Sequence, residues 1–247
     1  MKIAALYDIH GNYPALAAIS KQLTTLAPDL IVFGGDLISG PMPLKTLALI
    51  KKLEQQYSTV SIMGNNDQDV IDAANGQPLQ MSDHGQQQIQ WVAKQLNDQQ
   101  ITALKRLQPN VTLGNYFFCH AVAGDNRTIF TPHSDIQKIQ KLFAGIQAPF
   151  IICGHTHIQF KLKLGDQEII NAGSVGMPFS NQAGAQWLWL TEQTAEFKTT
   201  PVAKPAAIKA MQTSSFPFLS EFIDANVKHT TSLAAAYKIL DQLTNQQ

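Results

Sequence analysis

Five short apolar runs in this 247-residue chain each lead to residues whose side chains can bind a metal ion. The runs and the candidate ligands that follow them are 3–7 with Asp8 and His10, 30–33 with Asp36, 60–63 with Asn65, 117–119 with His120, and 150–153 with His155 and His157. Carboxylate, amide and imidazole donors without thiolate suit Mn, Fe, Zn or Ni. Ligands in α/β folds gather at the carboxyl ends of buried strands, so these seven side chains are expected to meet on one rim.

The ordered set carries more weight than its parts, because short motifs also arise by chance. Asp-x-His is a common turn with a surface histidine, Gly-Asp is a common turn dipeptide, and Asn65 can simply cap the next helix. Gly-His-x-His is more informative, since two imidazoles after a strand are rarely kept without a partner. Four of the seven histidines belong to the set, and His84, His133 and His229 are expected to be surface or capping residues.

Alternating strand and helix patterns supply the framework for these residues. The chain begins with the order strand, helix, strand, helix, strand. This order favours a sheet covered by helices. The predicted strands are 2–7, 30–33, 59–63, 111–113, 116–119, 150–153, 161–164, 167–171, 187–190 and 196–200. The predicted helices are one that begins after Asn12, 43–56, most of 67–107, 134–145 and most of 205–247.

Composition narrows the class of protein. Lys plus Arg and Asp plus Glu both number 18, so the net charge is zero and gives no support to binding of long nucleic acid or an anionic membrane. No apolar run approaches the ~20 residues of a membrane helix. Cys119 and Cys153 follow apolar runs and are expected to be buried strand thiols, which fits a reducing compartment. We therefore expect a cytoplasmic protein.

The order Asp-x-His, Gly-Asp, Gly-Asn-x-Asp, His, Gly-His-x-His resembles the signature of calcineurin-like metallophosphoesterases. The segment from Asp8 to Leu16 and the segment 171–178, Asn-Ala-Gly-Ser-Val-Gly-Met-Pro, resemble the small prokaryotic phosphodiesterase branch of that superfamily. The resemblance implies an α/β fold, a four-layer α/β/β/α sandwich of two mixed sheets flanked by helices. We expect one domain over 1–247, with a core at 1–200 and a helical C-terminal extension at 201–247.

The resemblance also implies two divalent metal ions, with Mn as the favoured metal and Fe, Zn or Ni as alternatives. One metal would take Asp8, His10, His157 and the shared Asp36, and the other would take Asp36, Asn65, His120 and His155. A hydroxide that bridges the metals would attack phosphorus. The implied catalytic residues are Asp36, Asn65, Asn66, Asp67 and His120. Asp67 would orient the Asn65 loop, a role compatible with a first-turn carboxylate that stabilises the helix dipole.

One residue departs from the family pattern. Asn66 stands where many members have a histidine that protonates the leaving group, and an amide cannot give up a proton near pH 7. We therefore expect weaker action on esters with poor leaving groups. Asn66, Arg127 and Ser174 are predicted to bind substrate, Arg127 by clamping a phosphate, although such an arginine is equally often an exposed charge.

These features favour a hydrolase of phosphate esters, with phosphodiesters preferred. The substrate would be a small phosphate ester or nucleotide, and nucleotides, cyclic nucleotides, dinucleoside polyphosphates and phosphorylated proteins all remain open. A phosphomonoesterase or protein phosphatase of the same fold is one alternative. A metal-binding scaffold without catalysis is another, and Asn66 is the argument for it. The protein could also form a homo-oligomer.

Overall fold

The computed structural model describes residues 1–192 and 194–244, which form ten strands, nine α-helices and one π-helical turn. The strands, β1 to β10, are Ile3–Leu6, Leu30–Phe33, Ser58–Ser61, Asn110–Leu113, Tyr116–Cys119, Phe150–Cys153, Gln159–Leu164, Gln167–Ala172, Ala185–Leu190 and Ala195–Thr200. The helices, α1 to α9, are Tyr13–Leu26, Pro43–Gln56, Asn65–Ala74, Asp83–Gln95, Asp98–Leu104, Ile136–Leu142, Lys204–Met211, Leu219–Ile223 and Leu233–Thr244. The π-helical turn, Asp224–Lys228, lies between α8 and α9.

The first sheet has the strand order β10-β9-β1-β2-β3. Strands β1, β2 and β3 are parallel, β9 runs antiparallel to β1, and β10 runs antiparallel to β9. Strand β1 is buried on both faces, because Ala4 and Leu6 contact the helix side while Ile3 and Ala5 face the second sheet. Burial on both faces explains why this strand reads as a continuous apolar run.

The second sheet has the strand order β4-β5-β6-β8-β7. Strands β5, β6 and β8 are parallel, and β4 and β7 pair antiparallel to their neighbours at the two edges. Strands β4 and β5 form one hairpin, and β7 and β8 form another. The five strands that lead to candidate ligands, β1, β2, β3, β5 and β6, therefore all lie in parallel parts of the two sheets.

Three clusters of buried apolar side chains separate four layers. The middle cluster lies between the sheets and joins Tyr7 and Leu188 of the first sheet to Phe118 and Ile170 of the second. One outer cluster packs the first sheet against α1, α2 and their neighbours, and the other packs the second sheet against α6 and α9. The predicted α/β/β/α sandwich of two mixed sheets is confirmed.

The C-terminal extension is helical, as predicted, but it is broken into separate pieces. Helices α7 and α8 pack against the first sheet's outer cluster through Met211 and Phe222. Helix α9 packs against the second sheet's outer cluster through Ala236 and Leu240. The extension therefore crosses from one outer face of the sandwich to the other.

Details of the predicted elements also differ from the structure. The helical region 67–107 forms three helices, and the helix predicted at 134–145 is limited to Ile136–Leu142. The Asp135 side chain accepts a hydrogen bond from the Gln137 N–H and sets the start of that helix. Both cysteines are buried and unpaired, as predicted. Among the described residues, no helix is both long enough and apolar enough to cross a membrane.

Candidate metal centre

The loops that follow β1, β2 and β6 are hydrogen-bonded to one another at the rim of the two sheets. The N–H of Asp8 donates to the Gly35 carbonyl over 3.1 Å, and the N–H of His10 donates to the Asp36 carbonyl over 2.8 Å. The N–H of His155 donates to Asp8 Oδ2 over 2.9 Å, which joins the two sheets. These bonds hold the ligand-bearing loops against each other, so the predicted convergence is found at this rim.

Five of the seven candidate ligands have left-handed backbone conformations, which are rare for residues with side chains. They are Asp8 (φ 53°), His10 (φ 48°), Asp36 (φ 53°), His155 (φ 66°) and His157 (φ 59°). Each such residue costs about 1–2 kcal/mol relative to ordinary backbone. Strain of this kind persists where function requires it, and here it falls on the residues selected for their chemistry.

Asp8, His10 and His157 form the first group of donors. His10 Nε2 lies 3.0 Å from His157 Nε2, and Asp8 Oδ1 lies 3.3 Å from His157 Nε2. The three side chains are buried, and their ligand atoms are close enough to share one ion. Ser39 Oγ lies 3.0 Å from His10 Nδ1 and fixes the orientation of that ring.

Asp36, His120 and Asn65 form the second group, which Asp8 also reaches, with its Oδ1 3.9 Å from His120 Nε2. Asp36 Oδ1 lies 3.8 Å from His120 Nε2, while its other oxygen, Oδ2, lies 3.6 Å from His10 Nε2 in the first group. Asn65 Oδ1 lies 3.1 Å from His120 Nε2. The Asp36 carboxylate thus presents one oxygen to each group, as a bridging ligand would.

His155 lies beside the second group, but its Nε2 faces a backbone carbonyl. That nitrogen lies 3.0 Å from the carbonyl oxygen of Arg127, and the ring lies edge-on to His120 with 5.2 Å between centroids. Because a carbonyl only accepts, Nε2 is the donor and Nδ1 is the atom with a free lone pair. A ligand role for His155 stays a prediction.

The donor atoms fit cations in two places. His10 Nε2 lies 3.0 Å from His157 Nε2. If both rings are neutral, at most one of these nitrogens can donate a proton to the other, so at least one of them is an acceptor. His120 Nδ1 donates to the Gly34 carbonyl over 2.8 Å, so in the neutral ring Nε2 is a lone pair that faces Asn65 Oδ1. Asp8 Oδ1 is buried and has no well-aligned donor among the described residues. A cation would satisfy each of these acceptors.

Burial and neighbouring charges set the protonation of these groups. Burial by itself would raise the pKa of Asp8, but the nearby imidazoles, His157 above all, bring that pKa well below its usual range. Burial lowers the pKa of His10, and burial together with His120 lowers the pKa of His155 to about 4. For His120 the carboxylates of Asp36 and Asp8 outweigh burial and raise the pKa. Ionised carboxylates and neutral imidazoles are the forms that bind metals. The pKa shifts of Asp8, His10 and His155 favour these forms, whereas the raised pKa of His120 favours the protonated ring, from which a bound cation would displace the proton.

Asp67 ties two of the ligand loops together. It is fully buried, its Oδ1 accepts from the Leu37 N–H over 2.9 Å, and its Oδ2 accepts from the Gly64 N–H over 3.1 Å. Burial and the charge of Asp36 raise the pKa of Asp67 to about 7, against the effect of these two donors. The predicted role of Asp67 in orienting the Asn65 loop stays a prediction.

Asn66 contacts the carboxylate of Asp36. Its backbone N–H donates to Asp36 Oδ1 over 2.8 Å, and its side-chain amide donates to Asp36 Oδ2 over 2.5 Å. The side chain also lines the open cleft above the rim. Asn66 is therefore placed both to position Asp36 and to contact a bound ester.

The other two predicted substrate contacts have protein partners. Arg127 makes a two-pronged ion pair with Asp69, with its Nη2 atom 2.5 Å from Asp69 Oδ1, and its side chain is 47% exposed. Ser174 is fully buried, and its Oγ donates to the Asp8 carbonyl and accepts from the Met177 N–H. These contacts tie loops together and do not favour direct contact of Ser174 with substrate. Substrate binding by either residue stays a prediction.

Sequence reasoning missed the residues that face the rim across the cleft. The cleft has a volume of about 450 Å³, and its far side is formed by α4 and by residues 216–226. His84, predicted to be a surface or capping residue, lies on this side and contacts Glu221 over 3.2 Å. Asn171 was also missed as a support, although its side chain donates to Gly154 O and Thr156 Oγ1 and braces the Gly-His-x-His loop. Neither the amphipathic pattern of α4 nor the strand pattern of β8 carries a signal for such roles.

Solved structures of other proteins share this fold. A crystal structure of a hypothetical protein from Pyrococcus horikoshii matches with a TM-score of 0.79 at 15% identity, covering 90% of this chain and 96% of that one. A metallophosphoesterase from Sphaerobacter thermophilus matches with a TM-score of 0.74 at 19% identity, covering 91% and 98%. At these identities the similarities show a shared fold. No curated protein matches the sequence.

The family match rests on the sequence itself. The family model described as the calcineurin-like phosphoesterase superfamily domain matches residues 1–194, which include all seven candidate ligands. The region matched ends near the start of the C-terminal extension. This chain belongs to the calcineurin-like phosphoesterase superfamily.

Proposed function

We propose that this protein is a metal-dependent hydrolase of phosphate esters that favours phosphodiesters and uses two divalent ions, with Mn as the working metal. The family supports the general class of reaction. The observation that carries the proposal is Asp36, whose two oxygens face two separate donor groups. Pairs of cations about 3.5–4 Å apart are a recurring device for phosphoryl transfer.

Each residue has a specific part in this proposal. Asp8, His10 and His157 would hold one ion, Asn65, His120 and His155 would hold the other, and Asp36 would bridge them. Bound there, the ions would neutralise phosphate oxygens and lower the pKa of a water molecule. The hydrogen-bonded loops hold the ligand atoms in advance, so little reorganisation is required when substrate binds.

Asn66 limits the proposed reaction. Its amide can hold Asp36 and donate a hydrogen bond to a phosphate oxygen, but it cannot protonate a leaving group. Proton donation is typically worth about 10²–10⁴-fold in rate. Esters with good leaving groups should therefore be hydrolysed best.

The cleft and the composition of the chain bear on the size of the substrate. A small phosphate ester or nucleotide fits the cleft and the neutral composition better than long nucleic acid. Cytoplasmic location and a possible homo-oligomer stay predictions from the sequence.

The proposal is tested by measuring hydrolysis of bis-p-nitrophenyl phosphate and p-nitrophenyl phosphate side by side. The full chain would be stripped of metal, reloaded with Mn²⁺ and compared with Asp36→Asn. Asp166→Asn, the same change in the exposed β7–β8 turn, is the matched control. We expect diester turnover to require Mn²⁺, to exceed monoester turnover, to vanish in Asp36→Asn and to persist in Asp166→Asn.

A folded protein that binds Mn²⁺ but hydrolyses neither ester would favour the alternative of a non-catalytic scaffold, for which Asn66 is the supporting observation. Higher activity on the monoester would favour a phosphomonoesterase of the same fold.

A further inference from the structure

The cleft above the metal-binding rim has a second side that the reaction itself does not require. We call it the outer wall, defined as the residues of α4 and of segment 216–226 that line the cleft. Ile89, Phe216 and Phe222 supply its buried apolar surface. Gln88 and Asn226 supply neutral hydrogen-bonding groups beside them.

The charge of the cleft restricts what can bind there. Among the described residues that line it, none is a lysine or an arginine. The acidic side chain of Glu221 on the outer wall contacts His84 of α4. A second phosphate group would therefore find no cation on this wall, and the carboxylate of Glu221 would repel it.

The backbone next to the outer wall is unusual in two neighbouring places. Phe218 has a left-handed conformation (φ 58°), which is an outlier for a bulky residue, and its ring stacks on His84 with centroids 3.9 Å apart. The π-helical turn Asp224–Lys228 follows α8 directly and brings Asn226 to the cleft. Left-handed outliers and π-helical turns are both frequent at functional sites.

The aromatic rings of the wall pack against each other and against Trp91. Phe216 packs edge-on against Phe222 with centroids 6.0 Å apart, and Trp91 of α4 packs edge-on against Phe216 at 5.4 Å. Such a layer is rigid, so the apolar surface exists before a ligand arrives. A preformed apolar surface next to an anion-binding centre suits a ligand with one phosphate and an apolar body.

We infer that the outer wall binds the organic group of the substrate, and that the protein selects phosphate esters with a single phosphate and a neutral, aromatic or apolar alcohol group. The inference rests on the proposed function and narrows its substrate class. It disfavours dinucleoside polyphosphates, which carry several phosphates that only one metal centre could neutralise.

The test compares phenyl p-nitrophenyl phosphate with methyl p-nitrophenyl phosphate on the Mn²⁺-loaded full chain. Both esters release p-nitrophenolate, so a difference in KM reports on the group that stays on phosphorus. We expect KM for the phenyl ester to be at least about tenfold lower, as burial of a phenyl ring would give. Phe222→Ala should remove most of this preference, and Phe222→Leu, which keeps apolar volume, should restore much of it.

Two controls separate the wall from general effects. Phe197→Ala removes an exposed ring on β10, outside the cleft, and should leave the preference unchanged. Gln88→Lys adds a cation to the wall, whereas Gln87→Lys adds the same charge on the neighbouring exposed residue. At fixed free Mn²⁺, Gln88→Lys alone should strengthen inhibition by adenosine diphosphate relative to adenosine monophosphate.

The outcomes distinguish this inference from the proposed function. Equal KM values for the two esters, or loss of the preference in Phe197→Ala, would overturn the inference while turnover left the proposed function standing. Stronger inhibition of the wild type by the diphosphate than by the monophosphate, by tenfold or more, would also overturn it. No turnover of either ester by the folded, Mn²⁺-loaded protein would reject the proposed function and the inference together.

Discussion

The two sides of the cleft are built in different ways. The rim consists of carboxylate, amide and imidazole groups just after strand ends, most of them buried and five of them in strained left-handed conformations, and hydrogen bonds join their loops. The outer wall consists mainly of aromatic and aliphatic side chains and neutral amides on α4 and segment 216–226, together with the contacting pair His84 and Glu221. Among the described residues of segment 216–226, Phe218 alone has a left-handed backbone.

The difference follows from what each side must do. Metal ligands require particular atoms at particular distances, so few residue types serve and small displacements are costly. A surface that binds an organic group requires apolar area and shape, which many residues can provide. The rim should therefore tolerate substitution poorly and control rate, whereas the wall should tolerate it better and control selectivity.

Removal of a rim ligand should have the largest effect. His120→Ala removes a donor from the second group and should lower diester turnover by more than about 100-fold, since even residues that only support a metal ligand are worth 10–100-fold. His133→Ala, an exposed histidine that contacts Asp241, is the matched control and should retain activity. Steady-state kinetics at saturating Mn²⁺ measures the turnover of both variants. Similar losses in the two variants would show that the rim is no more sensitive to substitution than the exposed surface.

A proton donor added to the rim should have the next largest effect, and in the opposite direction. Asn66→His should raise turnover of esters with poor leaving groups, such as methyl phenyl phosphate, by about 100-fold. This is the lower end of the rate increase that general-acid catalysis typically provides. Turnover of bis-p-nitrophenyl phosphate, whose leaving group needs no proton, should change little. An unchanged rate on the poor leaving group would refute the assigned role of position 66.

Backbone spacing at the rim can be tested with two glycines. Both Gly35 (φ 98°) and Gly145 (φ 86°) have positive φ, but a Cβ on Gly35 would lie 2.5 Å from His120 Nδ1, whereas a Cβ on Gly145 would meet nothing within 4 Å. Both alanine variants should lose about 1–2 kcal/mol of stability from the backbone conformation. Only Gly35→Ala should also weaken Mn²⁺ binding, by about tenfold or more, as a displaced supporting group does.

Thermal unfolding and Mn²⁺ titration together provide that measurement. Weakened Mn²⁺ binding in Gly145→Ala as well would show that general destabilisation, and not displacement of His120, is responsible.

The smallest effect is expected far from the cleft, where Asp241 of α9 accepts hydrogen bonds from Thr131 Oγ1 (2.8 Å) and His133 Nδ1 (2.9 Å). Burial opposes ionisation slightly, but these two bonds lower the pKa of Asp241. A carboxyl with a lowered folded-state pKa stabilises the fold above its unfolded pKa of about 3.9, and this contribution is lost as pH falls through the folded value.

Hydrogen-exchange protection of α9 should therefore fall as the wild type is acidified below about pH 4. Asp241→Asn should show a few-fold lower protection at neutral pH and little further change on acidification, with activity retained. Equal protection of α9 in the variant and the wild type would show that these bonds do not anchor the helix.

The convergence of the candidate ligands could be predicted from the sequence because it leaves a regular pattern, whereas the four-layer sandwich was implied by the family resemblance. Apolar runs that end in metal-binding residues located β1, β2, β3, β5 and β6, and the order of the ligands indicated the family. Asn66 could be singled out because it occupies a fixed place in that order. The contact of Asn66 with Asp36 could not be predicted, because it depends on how two loops pack together.

The outer wall could not be predicted because many residue types can provide an apolar surface, which is also why the wall should tolerate substitution. Ile89 and Phe222 read as ordinary apolar positions of amphipathic helices, and the π-helical turn has no sequence pattern. The ion pair of Arg127 with Asp69 joins residues 58 positions apart, so the sequence shows a free cation where the structure has a pair. Long-range packing, and not local pattern, decides these contacts.

We propose that two metal ions occupy the rim, with Asp36 between them. Anomalous diffraction from crystals of the Mn²⁺-loaded protein, collected on either side of the Mn absorption edge, would locate the ions. We expect two peaks about 3.5–4 Å apart, one beside Asp8, His10 and His157 and the other beside Asn65 and His120. A single peak at saturating Mn²⁺, or peaks outside the rim, would refute the two-metal site.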